Sequence, residues 1–216
     1  AETPALGPFP TFMVDMKGGF KVEKTKLNSG DILLLYTDGI EENGRAKRKH
    51  DFSAIMKPKL DSEGVQISDS FGNLEWEIDK EEFGENRVND IVRALFDRSK
   101  YSLKKEQNPS VGELLEFNFV NCQGTIEECV TALASIEKVF RLYKPASATA
   151  KDWVEVDVAI DRFLKEHFNL YETYAIQPKD EKGKVIRPKN PNYIYYAFCK
   201  EDVQEDDLTV IAIQRP

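Results

Sequence analysis

Two short apolar runs, each bounded on one side by acidic residues, most constrain what this chain can fold into. Ile32 to Tyr36 stops at Thr37-Asp38-Gly39, and Leu208 to Ile213 starts directly after Asp206-Asp207. Short apolar runs between turn residues predict strands, and for Ile32 to Tyr36 a strand that is buried on both faces. If the two strands are antiparallel neighbours, the acidic residues of both emerge at the same edge of one sheet.

Carboxylates that converge at the rim of a sheet repel one another and resist burial. A hard divalent cation such as Mg2+ or Mn2+ removes both penalties, because it binds oxygen ligands. Acidic residues at strand ends also commonly cap turns, and spacing alone favours that interpretation. The pattern therefore leaves a metal site and an ordinary pair of turns both open.

Composition places the chain among globular proteins. Of its 216 residues 41% are hydrophobic and 31% are charged, which is enough apolar material for a substantial core. These values exclude collagen-like, low-complexity and wholly disordered classes.

No apolar run is long enough to span a bilayer and no signal peptide is visible. We therefore expect no membrane contact from this segment and a cytoplasmic location, with a parent chain that could be membrane-linked further upstream. Three cysteines without C-x-x-C spacing predict reduced thiols, with Cys122 and Cys129 as small buried hydrophobes.

The acidic balance of the chain argues against nucleic acid as a partner. Thirty basic residues against 38 acidic ones give a net charge of −8. Affinity for nucleic acid comes largely from clustered Lys and Arg, so we predict that this chain binds none.

Periodicity and turn residues predict the remaining elements. Apolar spacing predicts helices over 82–98, over 125–144 with Thr125 as N-cap and Glu128 completing a capping box, and over 152–171. A hairpin is expected within 65–78 and a strand over 193–199. Residues 43–64 are predicted to be a loop or a weakly structured insertion, and residues 177–192 an exposed loop. Trp76 is expected to be a packing residue.

Four local sequences together resemble one enzyme family. They are Thr3 to Gly7 (T-P-A-L-G), Gly30 to Glu42 (G-D-I-L-L-L-Y-T-D-G-I-E-E), Glu82 to Val88 (E-F-G-E-N-R-V) and Asp206 to Ile211 (D-D-L-T-V-I). They resemble, in the same order, segments of bacterial metal-dependent (type 2C) serine/threonine protein phosphatases of the stage II sporulation protein E-like branch.

The resemblance implies an α/β (α+β) fold, namely part of an αββα sandwich of antiparallel sheets with helices outside. It implies two Mg2+ or Mn2+ ions per complete domain and a phosphorylated regulatory protein as substrate. By the same resemblance Asp38 and Asp206 are metal ligands. Gly39 would allow the backbone to approach the metal, and Asp207 would orient backbone or water.

The family's acidic first motif, which resembles G-D-x-x-G-H-G, does not occur in this sequence. The chain, which begins at Ala1 without an initiator Met, is therefore expected to be the C-terminal section of a phosphatase domain, with no catalytic residue of its own and at most weak binding of one ion. Residues 1–98 and 193–216 would form its phosphatase-like part, and residues 99–192 a mostly helical insertion that acts as a lid or docking surface. The exposed sheet would be covered by these helices or by a second copy of the chain, as a homodimer.

A basic cluster follows the Asp38-Gly39 turn, and two interpretations of it stay open. It could steer a phosphoprotein toward the metal edge, or it could be an ordinary solvated loop. Its residues are Arg45, Lys47, Arg48 and Lys49.

Two functions from different classes remain. The first is the C-terminal section of a phosphatase that acts on a regulatory phosphoprotein. The second is a non-catalytic protein-binding or regulatory module on a phosphatase-like scaffold. An acidic G-D-x-x-G-H-G segment upstream in the parent gene would favour the first.

Overall fold

The helices form where apolar spacing and capping residues agree. A computed structural model describes residues 26–49, 51–103, 114–145, 152–197, 199–202 and 207–216. In this part of the chain five helices accompany twelve short strands. The helices are α1 (Asp38–Glu41), α2 (Glu85–Phe96), α3 (Ile126–Arg141), α4 (Val158–His167) and α5 (Tyr171–Tyr174).

The strands pair two by two and, where a register is defined, antiparallel. The pairs are β1 with β12, β2 with β5, β3 with β4, β6 with β7, β8 with β11 and β9 with β10. Their bounds are β1 (Ile32–Tyr36), β2 (Gly44–Ala46), β3 (Met56–Pro58), β4 (Trp76–Ile78), β5 (Lys80–Glu82), β6 (Lys100–Leu103), β7 (Leu115–Asn118), β8 (Leu142–Pro145), β9 (Val154–Asp157), β10 (Tyr193–Tyr196), β11 (Cys199–Glu201) and β12 (Val210–Gln214).

The described fold is therefore mixed α/β with small antiparallel sheets. The predicted class is confirmed to this extent, whereas the αββα sandwich stays a prediction. The chain divides into two compact units, one that contains the described residues 26–33 with 214–216 and another that contains the described part of residues 34–213. The predicted domain boundaries at 98 and 193 stay a prediction. In the smaller unit, Gly30 N–H donates to the Arg215 carbonyl (2.9 Å) and Arg215 N–H donates to the Asp31 carbonyl (3.1 Å).

One hydrophobic core holds the larger unit together. It is built from the inner faces of α2, α3 and α4 and of the strands around them, and both predicted thiols, Cys122 and Cys129, are buried in it. Helix α3 begins at the predicted N-cap: Thr125 Oγ1 accepts from Glu128 N–H (3.2 Å), and the Glu128 carboxylate accepts from Thr125 N–H (3.0 Å). The capping box is confirmed.

Several predicted elements differ from the structure. The predicted helix over 152–171 begins only at Val158, because residues 154–157 pair with β10 as strand β9 and Asp157 caps the helix through Ala159 N–H (2.7 Å). Residues 99–192 were expected to be mostly helical, yet strands β6 to β9 lie among the helices of this segment. Backbone pairing between distant segments competes with local helix preference, and the sequence pattern of one segment does not reveal it.

The prediction of a loop or weakly structured insertion over residues 43–64 was wrong in part. Gly44–Ala46 and Met56–Pro58 are strands of a branched arm within residues 44–82, in which β2 pairs with β5 and β3 pairs with β4. The expected hairpin within 65–78 is present, with Ser68 opposite Leu74.

At each branch point of the arm, three chain segments exchange backbone hydrogen bonds in a cycle. Ile55 N–H donates to the Lys47 carbonyl, Asp79 N–H to the Ile55 carbonyl, and Lys47 N–H to the Asp79 carbonyl, all at 2.8 Å. The cycle leaves none of these groups unsatisfied where the ladder splits. A second cycle of the same form joins Lys59, Ile67 and Glu75 at 2.8 to 3.1 Å.

Three hairpin turns share one sequence pattern, an Asp followed by a Gly three residues later. The Asp carboxylate accepts two backbone N–H groups of the turn, and the Gly adopts a positive φ that other residues resist. Asp69, for example, accepts from Phe71 N–H (2.8 Å) and Asn73 N–H (2.9 Å), with Gly72 at φ 83°. The other two turns begin at Asp61 and Asp180, with Gly64 (φ 81°) and Gly183 (φ 76°).

Candidate functional site

The two strand ends that carry the predicted acidic residues meet. Thr37 N–H donates to the Thr209 carbonyl (3.0 Å), and at the other end of the ladder Arg215 N–H donates to the Asp31 carbonyl (3.1 Å), so β1 and β12 run antiparallel. The Thr37 hydroxyl donates to the Asp207 carbonyl (3.0 Å) and accepts from Thr209 N–H (3.1 Å). The expected pairing of these two strands is confirmed, and we call residues 37–39 and 207–209 the strand-end junction.

Asp38 lies in this junction with an exposed side chain. It is the first residue of α1, and its carbonyl accepts from Glu42 N–H (2.8 Å). The next two residues, Gly39 and Ile40, are buried, and Ile40 belongs to the core. Burial of Ile40 therefore fixes the backbone next to Asp38 while the carboxylate remains in solvent.

The opposite side of the junction carries Asp207. Its side chain is exposed and its carbonyl is held by Thr37. Asp206, the predicted second ligand, precedes it directly in the chain and lies outside the described residues. Among the residues that are described, no three His, Cys, Asp or Glu side chains gather as a metal-binding group. The junction thus offers Asp38 as a described oxygen ligand, and the metal assignment of Asp206 remains a prediction.

Tyr36 and Glu41 flank the junction on the core side. Burial raises the pKa of Tyr36 to about 12, and a hydrogen bond to the Glu41 carboxylate acts in the same direction. A phenol with this pKa stays protonated at neutral pH. The hydroxyl of Tyr36, which precedes Thr37 and Asp38 in the sequence, therefore donates a hydrogen bond, and the Glu41 carboxylate accepts it.

The predicted basic cluster is for the most part built into the arm. Arg45 is only 2% exposed, donates to Glu81 Oε2 through Nε (3.0 Å) and Nη2 (2.5 Å), and lies 4.5 Å from the centroid of the Phe140 ring. Arg87 binds the other oxygen of the same Glu81 carboxylate. Burial lowers the pKa of Arg45, and the Glu81 carboxylate opposes that effect.

The other members of the cluster are also paired, except one. Arg48 binds Asp202 and the Phe52 carbonyl (2.9 Å), and Lys47 binds Asp79 (2.9 Å). Within the described part of the chain, Lys49 is the member of the cluster without a side-chain partner. The Lys49 charge acts on the nearby Asp51 carboxylate, where it helps to lower the pKa. Substrate steering by these residues stays a prediction.

A second buried charge network was not foreseen. Glu137 is 3% exposed and accepts from Arg141 and from the Asn43 amide. Arg141 and Lys138 both bind Glu201, the latter at 2.8 Å. These contacts join α3 to β11 and to the start of the arm. The sequence does not predict that Glu137 is buried. Glu137 and its neighbour Lys138 are both charged, so the local pattern does not distinguish the buried side chain from an exposed one.

The loop predicted over 177–192 is exposed in part, but it forms a hairpin with Lys179 opposite Val185. Together with β10 it encloses a cavity of about 360 Å³. Arg187 and Lys189 line this cavity from the hairpin segment, and Tyr193, Ile194 and Tyr195 line it from β10. Sequence reasoning missed it because its walls come from two segments that pair only in the fold.

Comparison with known proteins adds nothing to this geometry: no protein-family model, curated protein or solved structure matches the chain. In the part of the chain that the structure describes, no helix is both long and apolar enough to cross a membrane.

Proposed function

We propose that this chain is the C-terminal, metal-binding section of a metal-dependent serine/threonine protein phosphatase domain that acts on a regulatory phosphoprotein. The strand-end junction carries the proposal. The Thr37–Asp207 hydrogen bond brings together two segments that the family resemblance marks independently as metal-binding. Together with the pairing of β1 and β12, this contact makes the two motifs neighbours.

The residues of the junction suit a hard cation. Asp38 and Asp206 would hold Mg2+ or Mn2+ through carboxylate oxygens, and Asp207 would orient backbone or water. The small residue Gly39 leaves room for the backbone to approach the ion. A bound metal supplies electrostatic stabilisation of the phosphoryl oxygens and a lowered pKa of bound water.

The exposed faces of the strands support a place in a larger sandwich. Leu34, Tyr36 and Val210 pack against the core, whereas Leu35 and Ile211, on the opposite face, are about half exposed. The prediction that Ile32 to Tyr36 is buried on both faces was therefore wrong, because no described element packs on its second face. Strands that are apolar on both faces are typical of sheets covered by a second layer. The inserted helices or a second copy of the chain were expected to cover this sheet. The helices leave Leu35 and Ile211 exposed, so in our proposal a further layer of the intact αββα domain or a second copy of the chain covers them.

Manganese titration tests the metal assignment. Isothermal titration calorimetry of the chain should give weak binding of one Mn2+, and Asp38→Asn and Asp206→Asn should each abolish it. Asp90→Asn, at an exposed position of α2, is the matched control and should leave the affinity unchanged. Equal affinity in both junction variants and the parent chain would reject the proposal.

Turnover of p-nitrophenyl phosphate tests the expectation that this chain carries only part of the catalytic site. Because no G-D-x-x-G-H-G motif occurs in the sequence, we expect the isolated chain to show no Mn2+-dependent turnover. Robust turnover that depends on Asp38 would show that the chain carries a complete catalytic site.

A non-catalytic binding module is the second candidate, and the arm favours it. On one face of the β3–β4 ladder, Met56, Trp76 and Ile78 are exposed, whereas the other face carries the ion pair of Lys57 with Glu77 (3.3 Å). Exposed apolar patches of this kind are typical of protein-binding surfaces. The titration above separates the two candidates, because a scaffold without a metal site would bind no Mn2+.

A further inference from the structure

The cavity beside β10 combines free positive charge with aromatic walls. Its volume is about 360 Å³, which accommodates one or two side chains of a bound molecule. Arg187, Pro188 and Lys189 line it from the hairpin segment, and Tyr193 and Tyr195 line it from β10.

The hairpin segment that forms one wall is basic in an otherwise acidic chain. Residues 177–192 contain five basic residues and two acidic ones, a local charge of +3 within a chain of net −8. One of the two acids, Asp180, is occupied by the turn, since its carboxylate accepts from Lys182 N–H (2.9 Å) and Lys184 N–H (2.8 Å). In the described part of the chain, the side chains of the five basic residues have no hydrogen-bond or ion-pair partner: Lys179, Lys182, Lys184, Arg187 and Lys189.

This wall is held in place by its backbone. Ile186 N–H donates to the Pro178 carbonyl (2.9 Å), and Asp180 N–H donates to the Lys184 carbonyl (2.9 Å). Pro188 and Pro191, both in the cavity wall, restrict the backbone further. Binding of a ligand here therefore costs little conformational entropy in this segment.

The aromatic wall is stabilised from β9. Tyr195 packs against Trp153 with ring centroids 5.4 Å apart. In the β9–β10 register Glu155 lies opposite Tyr195 and Asp157 opposite Tyr193, and the Asp157 carboxylate is occupied by Ala159 N–H. Glu155 disfavours an anion near Tyr195, so an anionic group is better placed beside Arg187 and Lys189.

We propose that this cavity binds a phosphorylated peptide segment of a partner protein. A phosphate monoester carries close to two negative charges at neutral pH, which matches the two lining cations, and Arg187 can bind it with two parallel hydrogen bonds. A neighbouring apolar group of the peptide packs on Tyr193. Nucleic acid fits less well, because its affinity needs a track of cations rather than one cavity, and the chain is acidic overall. The choice of a phosphorylated partner rests on the proposed function, whereas the cavity itself needs no metal.

Fluorescence anisotropy with a labelled phosphoserine peptide tests the proposal, with EDTA present. We expect the phosphopeptide to bind at least about tenfold more tightly than its unphosphorylated form, and the double variant Arg187→Gln/Lys189→Gln to lose about tenfold in affinity or more. The matched control is Lys182→Gln/Lys184→Gln. It removes the same charge from the same hairpin, but its residues do not line the cavity, so affinity should change less than about twofold.

Three results would overturn the proposal. They are equal binding of the two peptides, equal losses in the two double variants, and tighter binding of single-stranded DNA than of the phosphopeptide. Circular dichroism checks that both double variants fold. In a Trp76→Phe background, the fluorescence of Trp153 should change on addition of phosphopeptide, and an unchanged spectrum would place the peptide elsewhere.

The metal titration and the peptide assay test the two proposals separately, so a negative result in one does not decide the other. Peptide binding by Asp38→Asn in EDTA should equal that of the parent chain. If the peptide binds but no Mn2+ does, the phosphatase assignment is rejected and the cavity retained. If Mn2+ binds but the peptide does not, the cavity proposal alone is rejected.

Discussion

The hydroxyl of Thr37 donates to the carbonyl of Asp207, 170 residues later in the chain, at 3.0 Å. The same hydroxyl accepts from Thr209 N–H (3.1 Å), so one side chain ties together the ends of β1 and β12. Asp38 and Asp206 each lie next to one end of this hydrogen bond in the sequence. The candidate metal site thus depends on a neighbouring residue that would not bind the metal itself.

Replacement of Thr37 should therefore loosen the junction. Thr37→Val keeps the shape but removes both side-chain hydrogen bonds, and it should lower the free energy of unfolding by about 0.5–1.5 kcal/mol. Weak Mn2+ binding should fall with it. Thr37→Ser, the control, retains the hydroxyl and should behave like the parent chain in urea unfolding and calorimetry. If Thr37→Val leaves both quantities unchanged, the hydrogen bond does not maintain the site.

Removal of the buried Glu137 carboxylate should be costly. Glu137→Leu leaves Arg141, itself 4% exposed, with a buried charge that has lost one of its partners. A loss of about 3–5 kcal/mol in urea unfolding is expected. The control Glu127→Leu lies on an exposed position of the same helix and should cost less than about 1 kcal/mol. Similar losses in both variants would contradict the network.

Acid should weaken the capping box of α3. Burial acts to raise the pKa of Glu128, but hydrogen bonds from the backbone N–H groups of Thr125, Gln123 and Gly124 outweigh it and lower the pKa below the ordinary 4.5. A carboxyl with a lowered folded-state pKa stabilises the fold above its unfolded pKa, and this contribution is lost as the pH falls through the folded-state value.

Unfolding free energies measured from neutral pH to below 4.5 check this. Glu128→Gln should reduce stability at neutral pH and flatten the acid dependence relative to the parent chain. The exposed Glu172→Gln is the control and should keep the original slope. A parent and a Glu128→Gln curve that run parallel would contradict the assignment.

Aromatic residues of the arm and of the core should respond differently to truncation. Trp76 is 55% exposed, so Trp76→Gln should change the free energy of unfolding by less than about 0.5 kcal/mol. Phe83 is fully buried, with its ring 5.3 Å from that of Phe140 in an edge-to-face contact, and Phe83→Ala should cost about 3–5 kcal/mol. Thermal and urea unfolding measure both. A large loss on Trp76→Gln would show that Trp76 packs, as the sequence pattern had suggested.

Local pattern predicted the elements whose stabilising contacts lie within one segment. Helix α3 has its N-cap, its capping carboxylate and its apolar stripe within residues 125–141, so its start was predictable. Helix α2 was predictable for the same reason, since Val88, Ile91 and Leu95 recur on one face and are buried. In both cases the information lies within a few turns of helix.

Pattern failed where a distant partner decides the structure. The sequence of Gly44–Ala46 and Met56–Pro58 is typical of a polar loop, yet both segments form strands because β5 and β4 supply the matching hydrogen bonds. Arg45 and Arg48 read as solvated or substrate-steering cations, yet Glu81 and Asp202 pair with them in buried positions. A charge becomes buried only when its counter-charge is brought to it, and that depends on the tertiary fold.

The sequence by itself determined that two apolar segments flanked by acids are strands, and it identified the residues that resemble a phosphatase metal site. Only the tertiary structure decided that those strands are partners, that most of the basic cluster is used for folding, and that free cations instead line the cavity beside β10. Strand preference is a property of a few consecutive residues, whereas pairing and burial are properties of groups that are far apart in the chain.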